Sequence, residues 1–210
     1  MSHKDINALC LFATLLCGMA FAATVAAQQR AQVPDSQPIE IYADSIEPPA
    51  KDLADRVGQL DAAIVARVNF SEVKEEPNPH PHPGPYGAFP WVTTEMVVTI
   101  LDVLKANPRL PGVNSTVRIS QPLGSVTWNG KTVVRRDGKG HALEPGGEYV
   151  LLLRVSPTGQ FVLLANDTFR LSSGTVETPS AAKYALGQAG LGRSEFVARV
   201  REAARAQRTK

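Results

Sequence analysis

Two histidines, His80 and His82, stand one proline apart inside a run of six prolines between Pro77 and Pro90. Proline fixes φ and withholds an N–H, so this run is an extended surface loop rather than a helix or a central strand. On such a loop the two imidazoles can project to one side and take Cu²⁺ or Zn²⁺. A closed site needs further ligands, and the chain offers His141 and scattered carboxylates. No His-Glu-x-x-His spacing is present. The plainer reading is a solvated loop with two incidental histidines, and metal binding stays a secondary one.

The other candidates for chemistry lack their context. Gly124-Ser125 has no Gly-x-Ser-x-Gly elbow around it, so a hydrolase would need a site assembled without a recognisable motif. Gly187 to Gly192 is glycine-rich but follows no expected strand with dinucleotide spacing, and reads as a flexible linker ahead of a terminal helix. Glu75-Glu76 sit in an expected acidic turn, as a solvated pair. Trp91 and Trp128 can form an aromatic ligand platform or simply pack. Asn69, Asn114 and Asn166 each begin a glycosylation pattern that matters only in a host that modifies it. No catalytic, cofactor or metal residue is assigned.

The stretch that must position everything else is Glu144 to Val155. Pro145-Gly146-Gly147 makes a turn, and Tyr149 to Leu153 then run apolar without a polar break. Five such residues between turn signals predict a strand buried on both faces. Around it the pattern predicts a short helix over 51–59, with Leu53, Val57 and Leu60 on one face, then a strand over 61–70. Further strands are expected over 91–105, 115–121, 161–165 and 168–171. Residues 39–42 can add an edge strand. Asn129-Gly130 between β formers predicts a hairpin over 126–134. Ser194 is expected to cap a terminal helix to about Ala206, with Phe196, Val197, Val200 and Ala204 on its apolar face and the arginines opposite.

Residues 1–27 read as a secretory signal, with Val25-Ala26-Ala27 placing small residues before cleavage at Gln28. A retained membrane anchor is the alternative. Cys10 and Cys17 are the only cysteines, and both lie in that segment. An exported chain would therefore carry no disulfide or thiolate, and its stability must come from burial. Residues 28–49 read as a flexible leader, 50–178 as one domain and 179–210 as linker plus helix. The net charge of +2 is too small to imply nucleic acid. It hides a basic terminus, since six Lys and Arg from Arg193 onward face only Glu195 and Glu202.

Taken in order, Asp61 to Val68, Val97 to Lys105 with its Val103-Leu104-Lys105 ending, Pro111-Gly112 before Val117, and Pro145 to Leu153 resemble the netrin-like domain. That domain is shared with tissue inhibitors of metalloproteinases, and this chain resembles the cysteine-free form of secreted bacterial proteins. The resemblance covers about Leu53 to Val176. It implies a five-stranded OB-type β-barrel with a helix packed alongside. Together with the helices read from spacing, the expected fold is mainly β: a small closed antiparallel OB-type β-barrel with one short N-terminal helix and one C-terminal amphipathic helix. The inhibitors coordinate a protease zinc through an N-terminal cysteine, which an exported chain beginning at Gln28 would lack. Fold likeness supplies no function by itself. The expected role is non-enzymatic: a secreted or periplasmic binding or scaffolding domain that engages a protein or envelope partner, with no cofactor.

Overall fold

The computed structural model describes residues 37–42, 49–77, 89–136, 142–178 and 183–207. His80, His82 and His141, the expected signal segment and the tip of the proline-rich loop lie outside them. Nine strands and three helices run in the order β1 (Ile39–Tyr42), α1 (Leu53–Gln59), β2 (Ala62–Glu76), β3 (Trp91–Lys105), β4 (Thr116–Gln121), β5 (Gly124–Trp128), β6 (Lys131–Arg136), β7 (Glu148–Val155), β8 (Phe161–Leu171), β9 (Val176–Glu177), α2 (Lys183–Leu186) and α3 (Arg193–Ala206).

The larger sheet has the order β4-β3-β2-β7-β8-β9. A short parallel pairing, Ile119 with Phe161 and Ser120 with Val162, returns β8 to β4. Five strands thereby pair in a closed circuit. Strand β7 sits in the middle of it, and its side chains are buried to both sides. Tyr149, Leu151 and Leu153 join Ala62, Ile64, Ala66, Val68, Met96, Val98, Ile100, Ile119 and Leu163 in an inner cluster. Val150 and Leu152 point the other way. There they meet Ala63, Val65, Phe169 and the apolar faces of α1 and α3. Period-two alternation in β2 and β7 divides one sheet between two cores.

The helices are fixed at their ends. Asp52 caps α1 by accepting a bond from the Asp55 N–H at 2.8 Å, and Asp55 accepts one from the Lys51 N–H at 2.9 Å. Lys105, the last residue of β3, donates to the Val57 carbonyl at 2.7 Å and to the Leu60 carbonyl, closing the C-terminal end of α1. A cation placed there opposes the negative end of the helix dipole. Burial pushes the Lys105 ammonium down from its usual range, against the upward pull of Asp61. The N-cap of α3 is Gly192, without a side-chain cap bond, and not Ser194 as expected from the hydroxyl. Its buried face is Phe196, Val200, Ala203 and Ala204.

One charged pair runs through the helix-side core. The Arg56 guanidinium donates from Nε to Asp167 Oδ1 at 2.7 Å and from Nη2 to Oδ2 at 2.6 Å. Arg56 is 1% exposed and Asp167 fully buried. The Tyr184 hydroxyl, on α2, stands 2.9 Å from the same carboxylate and 2.7 Å from the Asn166 carbonyl. Burial pushes the Asp167 carboxyl up, while the Arg56 fork, the Tyr184 hydroxyl and the Arg154 charge pull it down. The pair thus fastens α1 and α2 to β8.

Several local expectations change. Glu72 to Glu76 continue β2 as strand instead of turning, because Lys74 and its neighbours pair with β3 as far as Glu76 and Trp91. Residues 161–171 form one strand, with a register irregularity between Leu151 and Leu153 of its partner where two strands were expected. The hairpin at Asn129-Gly130 forms, with φ of 48° and 74° at the two residues. It joins β1 in a separate three-stranded sheet, β1-β6-β5, rather than the main one. Gly190 and Leu191, expected in a free linker, exchange backbone bonds with Val176. Among the described residues no helix is long and apolar enough to cross a membrane.

Replacing Arg56 by Met strands a buried carboxylate and is expected to cost about 3–5 kcal/mol in urea denaturation. The double replacement Arg56→Met/Asp167→Leu is expected to recover most of that loss, because both charges leave together.

Candidate functional site

Two surfaces stand out, and both lie at the end of the circuit where β7 begins. The first is an arm. Up to Val68, β2 is flanked by β3 on one side and by β7 and its leading turn on the other; Gly146 N–H bonds the Val68 carbonyl at 2.7 Å and Val68 N–H the Gly147 carbonyl at 3.0 Å. A bulge follows at Asn69, since Val68 pairs with Val98 but Phe70 with Val97. Beyond it, Phe70 to Glu76 pair only with β3 among the described residues. Among the described residues no strand pairs with the other edge of this seven-residue segment.

Cross-strand pairing places Ser71, Val73 and Glu75 on the side of the buried Met96, Thr94 and Val92. Phe70, Glu72 and Lys74 take the outer side. There Lys74 and, more distantly, Arg118 at 3.9 Å reach Glu95. Phe70 is 55% exposed and Val73 42%, large apolar side chains left in water on one edge. The Glu75-Glu76 pair expected on a turn therefore belongs to this edge.

The second surface is a cleft of about 330 Å³ lined by Leu143, Glu144, Tyr149, Thr168, Arg170 and Glu177, among others. The register pairs Tyr149 with Arg170 and Leu151 with Thr168, so all four share the inner side of the circuit. The turn before β7 folds over them. The Glu144 N–H donates to the Tyr149 hydroxyl at 3.1 Å, and Leu143 is buried beneath the turn. Gly147 makes this possible, because a Cβ there would stand 2.7 Å from the Tyr149 ring. On the rim Arg170 Nη2 donates to Glu144 Oε2 at 2.6 Å. That bond, with the Glu144 and Glu177 carboxylates beside it, raises the Arg170 pKa further.

Among the described residues, two buried polar side chains on the inner side have no hydrogen-bond partner. One is the hydroxyl of Thr168, a residue that lines the cleft but whose Oγ1 is itself buried from solvent. The other is Gln121, fully buried, with neither amide atom bonded. Gln121 lies two residues beyond Ile119 on β4, on the same side, and runs parallel to β8 toward the cleft end. Polar groups in native interiors are almost always bonded, so each such orphan marks a point of interest.

The sequence candidates are distributed differently. The Trp91 ring is covered by the Arg135 guanidinium, whose carbon sits 3.3 Å from the ring centroid. Trp128 meets Phe89 edge-on at 5.4 Å. The two indoles are thus engaged by their own neighbours and do not present one joint platform. Ser125 lies within β5. The arginines of α3 are largely answered. Arg193 bonds Glu148 and Arg199 bonds Glu195, both at 2.7 Å, and Arg201 bonds Asp102 at 2.5 Å. Glu148 also accepts from Arg67; that bond first, then Arg193, holds its carboxyl below the usual range despite burial. Among the described residues no group of three or more His, Cys, Asp or Glu converges as a metal site. No family model and no curated protein matches the chain.

Sequence reasoning missed Arg56, Asp167, Thr168 and Gln121. The signal for two of them was present: Asn166-Asp167-Thr168 interrupts an apolar strand with polar residues, which suggested a break between strands. The replacement Gln121→Met keeps the length of the side chain and removes both orphaned atoms. It is expected to raise stability by about 1–3 kcal/mol in thermal or urea denaturation.

Proposed function

We propose that the chain is a non-enzymatic binding domain, exported from the cytoplasm, that holds a protein partner by adding an extended strand of that partner to the open edge of β2. The observation that carries this reading is the edge from Phe70 to Glu76, which no strand among the described residues pairs with, and on which Phe70 and Val73 are exposed. An edge of this kind offers a row of backbone donors and acceptors to an incoming strand, and side chains of alternate sign select it. Glu72, Glu75 and Glu76 outnumber Lys74 on the segment, and Lys74 is already bonded to Glu95. The matching strand is therefore extended and basic. The same charges keep the edge from pairing indiscriminately.

The netrin-like resemblance fits this role. The five-strand circuit with α1 and α3 packed on one side is the arrangement an OB-type barrel would have, and we read the fold as that class. Export agrees with the apolar, small-residue leader and with a folded unit that uses no cysteine.

Display selection of short peptides against the full chain tests the proposal. Enriched peptides are expected to be extended and rich in Lys or Arg, and to shift the amide resonances of residues 69–76. The variant Phe70→Ser/Glu72→Lys/Glu75→Lys is expected to weaken their binding about tenfold or more, near 1.4 kcal/mol. Peptides that map elsewhere, or bind the variant equally well, would overturn it.

A further inference from the structure

On the reading that the β2 edge takes a strand, we infer that the strand lies antiparallel to β2 and carries one side-chain order. From its N-terminus that order is basic, basic, polar, apolar, basic, polar, aromatic, one residue set against each of Glu76 back to Phe70. The way β2 addresses the edge follows from Val68. Its side chain is in the inner cluster, and its N–H and C=O bond Gly147 and Gly146, on the side away from β3. In a strand of L-residues the face a side chain takes fixes the edge to which the same residue's N–H and C=O point, because both alternate together. Past the bulge the inner side passes to Ser71, Val73 and Glu75. These three residues therefore turn three N–H and three C=O groups away from β3, while Phe70, Glu72 and Lys74 turn theirs toward it.

Strand β7 and its leading turn occupy that line as far as Val68, antiparallel to β2. A strand on the arm extends the same line, and antiparallel pairing is the more stable per residue. Directly opposed residues share a face, so the side chains of the arm set the order. Glu72 and Glu76 stand on the outer side and Glu75 on the inner one, and among the described residues their carboxylates have no partner. Each is matched by a basic residue opposite it. Lys74 already bonds Glu95, so the position facing it is polar and uncharged. Ser71 is matched by another hydroxyl residue. Val73 is backed on the inner side by Gly124 of β5, where a Cβ would stand 2.8 Å from Val73 Cγ1, and its exposed part takes an apolar residue. Phe70, exposed on the outer side, takes an aromatic one. A parallel strand would need the reverse order, which makes direction measurable. The turn at Gly146-Gly147 closes the line beyond Phe70, so the docked strand ends or bends away there.

The probe is the peptide Arg-Lys-Thr-Val-Lys-Thr-Tyr, blocked at both ends, titrated into the ¹⁵N-labelled full chain beside its reversed sequence and a scrambled one. The designed order is expected to bind about tenfold more tightly than either. It is expected to slow hydrogen exchange of the Ser71, Val73 and Glu75 amides and to leave those of Glu72 and Lys74, which face β3, unchanged. A paramagnetic tag on the peptide's N-terminus is expected to broaden Glu75 and Glu76 and to spare Phe70. Glu72→Lys is expected to weaken binding about fivefold, and Lys→Glu at the fifth peptide position, but not at the second, to restore it. Equal affinity for the three peptides, broadening at Phe70, or equal rescue from the second position overturns the inference and leaves the edge-strand reading in place. If none of the three protects residues 71, 73 and 75, the inference falls; if display-selected peptides fail there as well, the edge-strand reading falls with it. Dimerisation of the chain through the same three residues without peptide identifies a second copy as the occupant and overturns the inference too.

Discussion

Strands β2 and β7 carry apolar side chains on both faces, and each face has to be covered. Ile64 and Leu151 look inward, while Val65 and Val150 look toward the helices. A strand that is greasy on one side only can lie on the outside of a domain. These two cannot, because burial is the dominant favourable term in folding and each face holds several large side chains. The return of β8 to β4 covers the inner face. Helices α1 and α3 cover the outer one. With no disulfide in the described fold, this double burial is what keeps the sheet and the helices together.

A layer held by burial alone has little to fix its orientation, since apolar contact is not directional. The polar ties supply direction. Arg56 and Asp167 meet in one bidentate geometry, and Lys105 grips the last turn of α1. Glu148 joins β7 to both Arg67 of β2 and Arg193 of α3. Buried pairs of this kind add little net stability, because desolvation consumes most of the attraction. Their value here is placement: α1, α2 and α3 each have at least one charged or hydroxyl contact to another element that a shifted docking would break. The turn before β7 benefits, since α3 holds the far side of the strand on which that turn is built.

Both candidate surfaces follow from how the circuit ends. Where the turn at Gly146-Gly147 stops pairing with Val68, β2 loses one neighbour and continues as an arm that pairs with β3 alone among the described residues. The same turn folds back over Tyr149 and roofs the cleft.

Much of the framework was legible because it rests on local patterns. The unbroken run Tyr149–Leu153 announced a doubly buried strand, Asn129-Gly130 announced its hairpin, and the spacing of Leu53 and Val57 announced α1. Short runs of strand formers between turn residues anticipated a mainly β fold, and helical spacing after residue 50 and after residue 193 anticipated a helix at each place. What stayed hidden depends on residues distant in sequence. Nothing near Arg56 points to Asp167, 111 residues away. Glu72 to Glu76 look like a turn by composition, and become strand only because β3 lies alongside. Gln121 and Thr168 look like ordinary strand residues until the sheet curls and leaves them without partners. The most direct measurement is native-state hydrogen exchange on the full chain. The amides of Ile64–Ala66 and Val150–Leu153 are expected to exchange slowest, through global unfolding alone, with those of Phe70–Glu76 well ahead of them. Exchange of Val150–Leu153 as fast as that of the arm would contradict the double burial on which the rest is built.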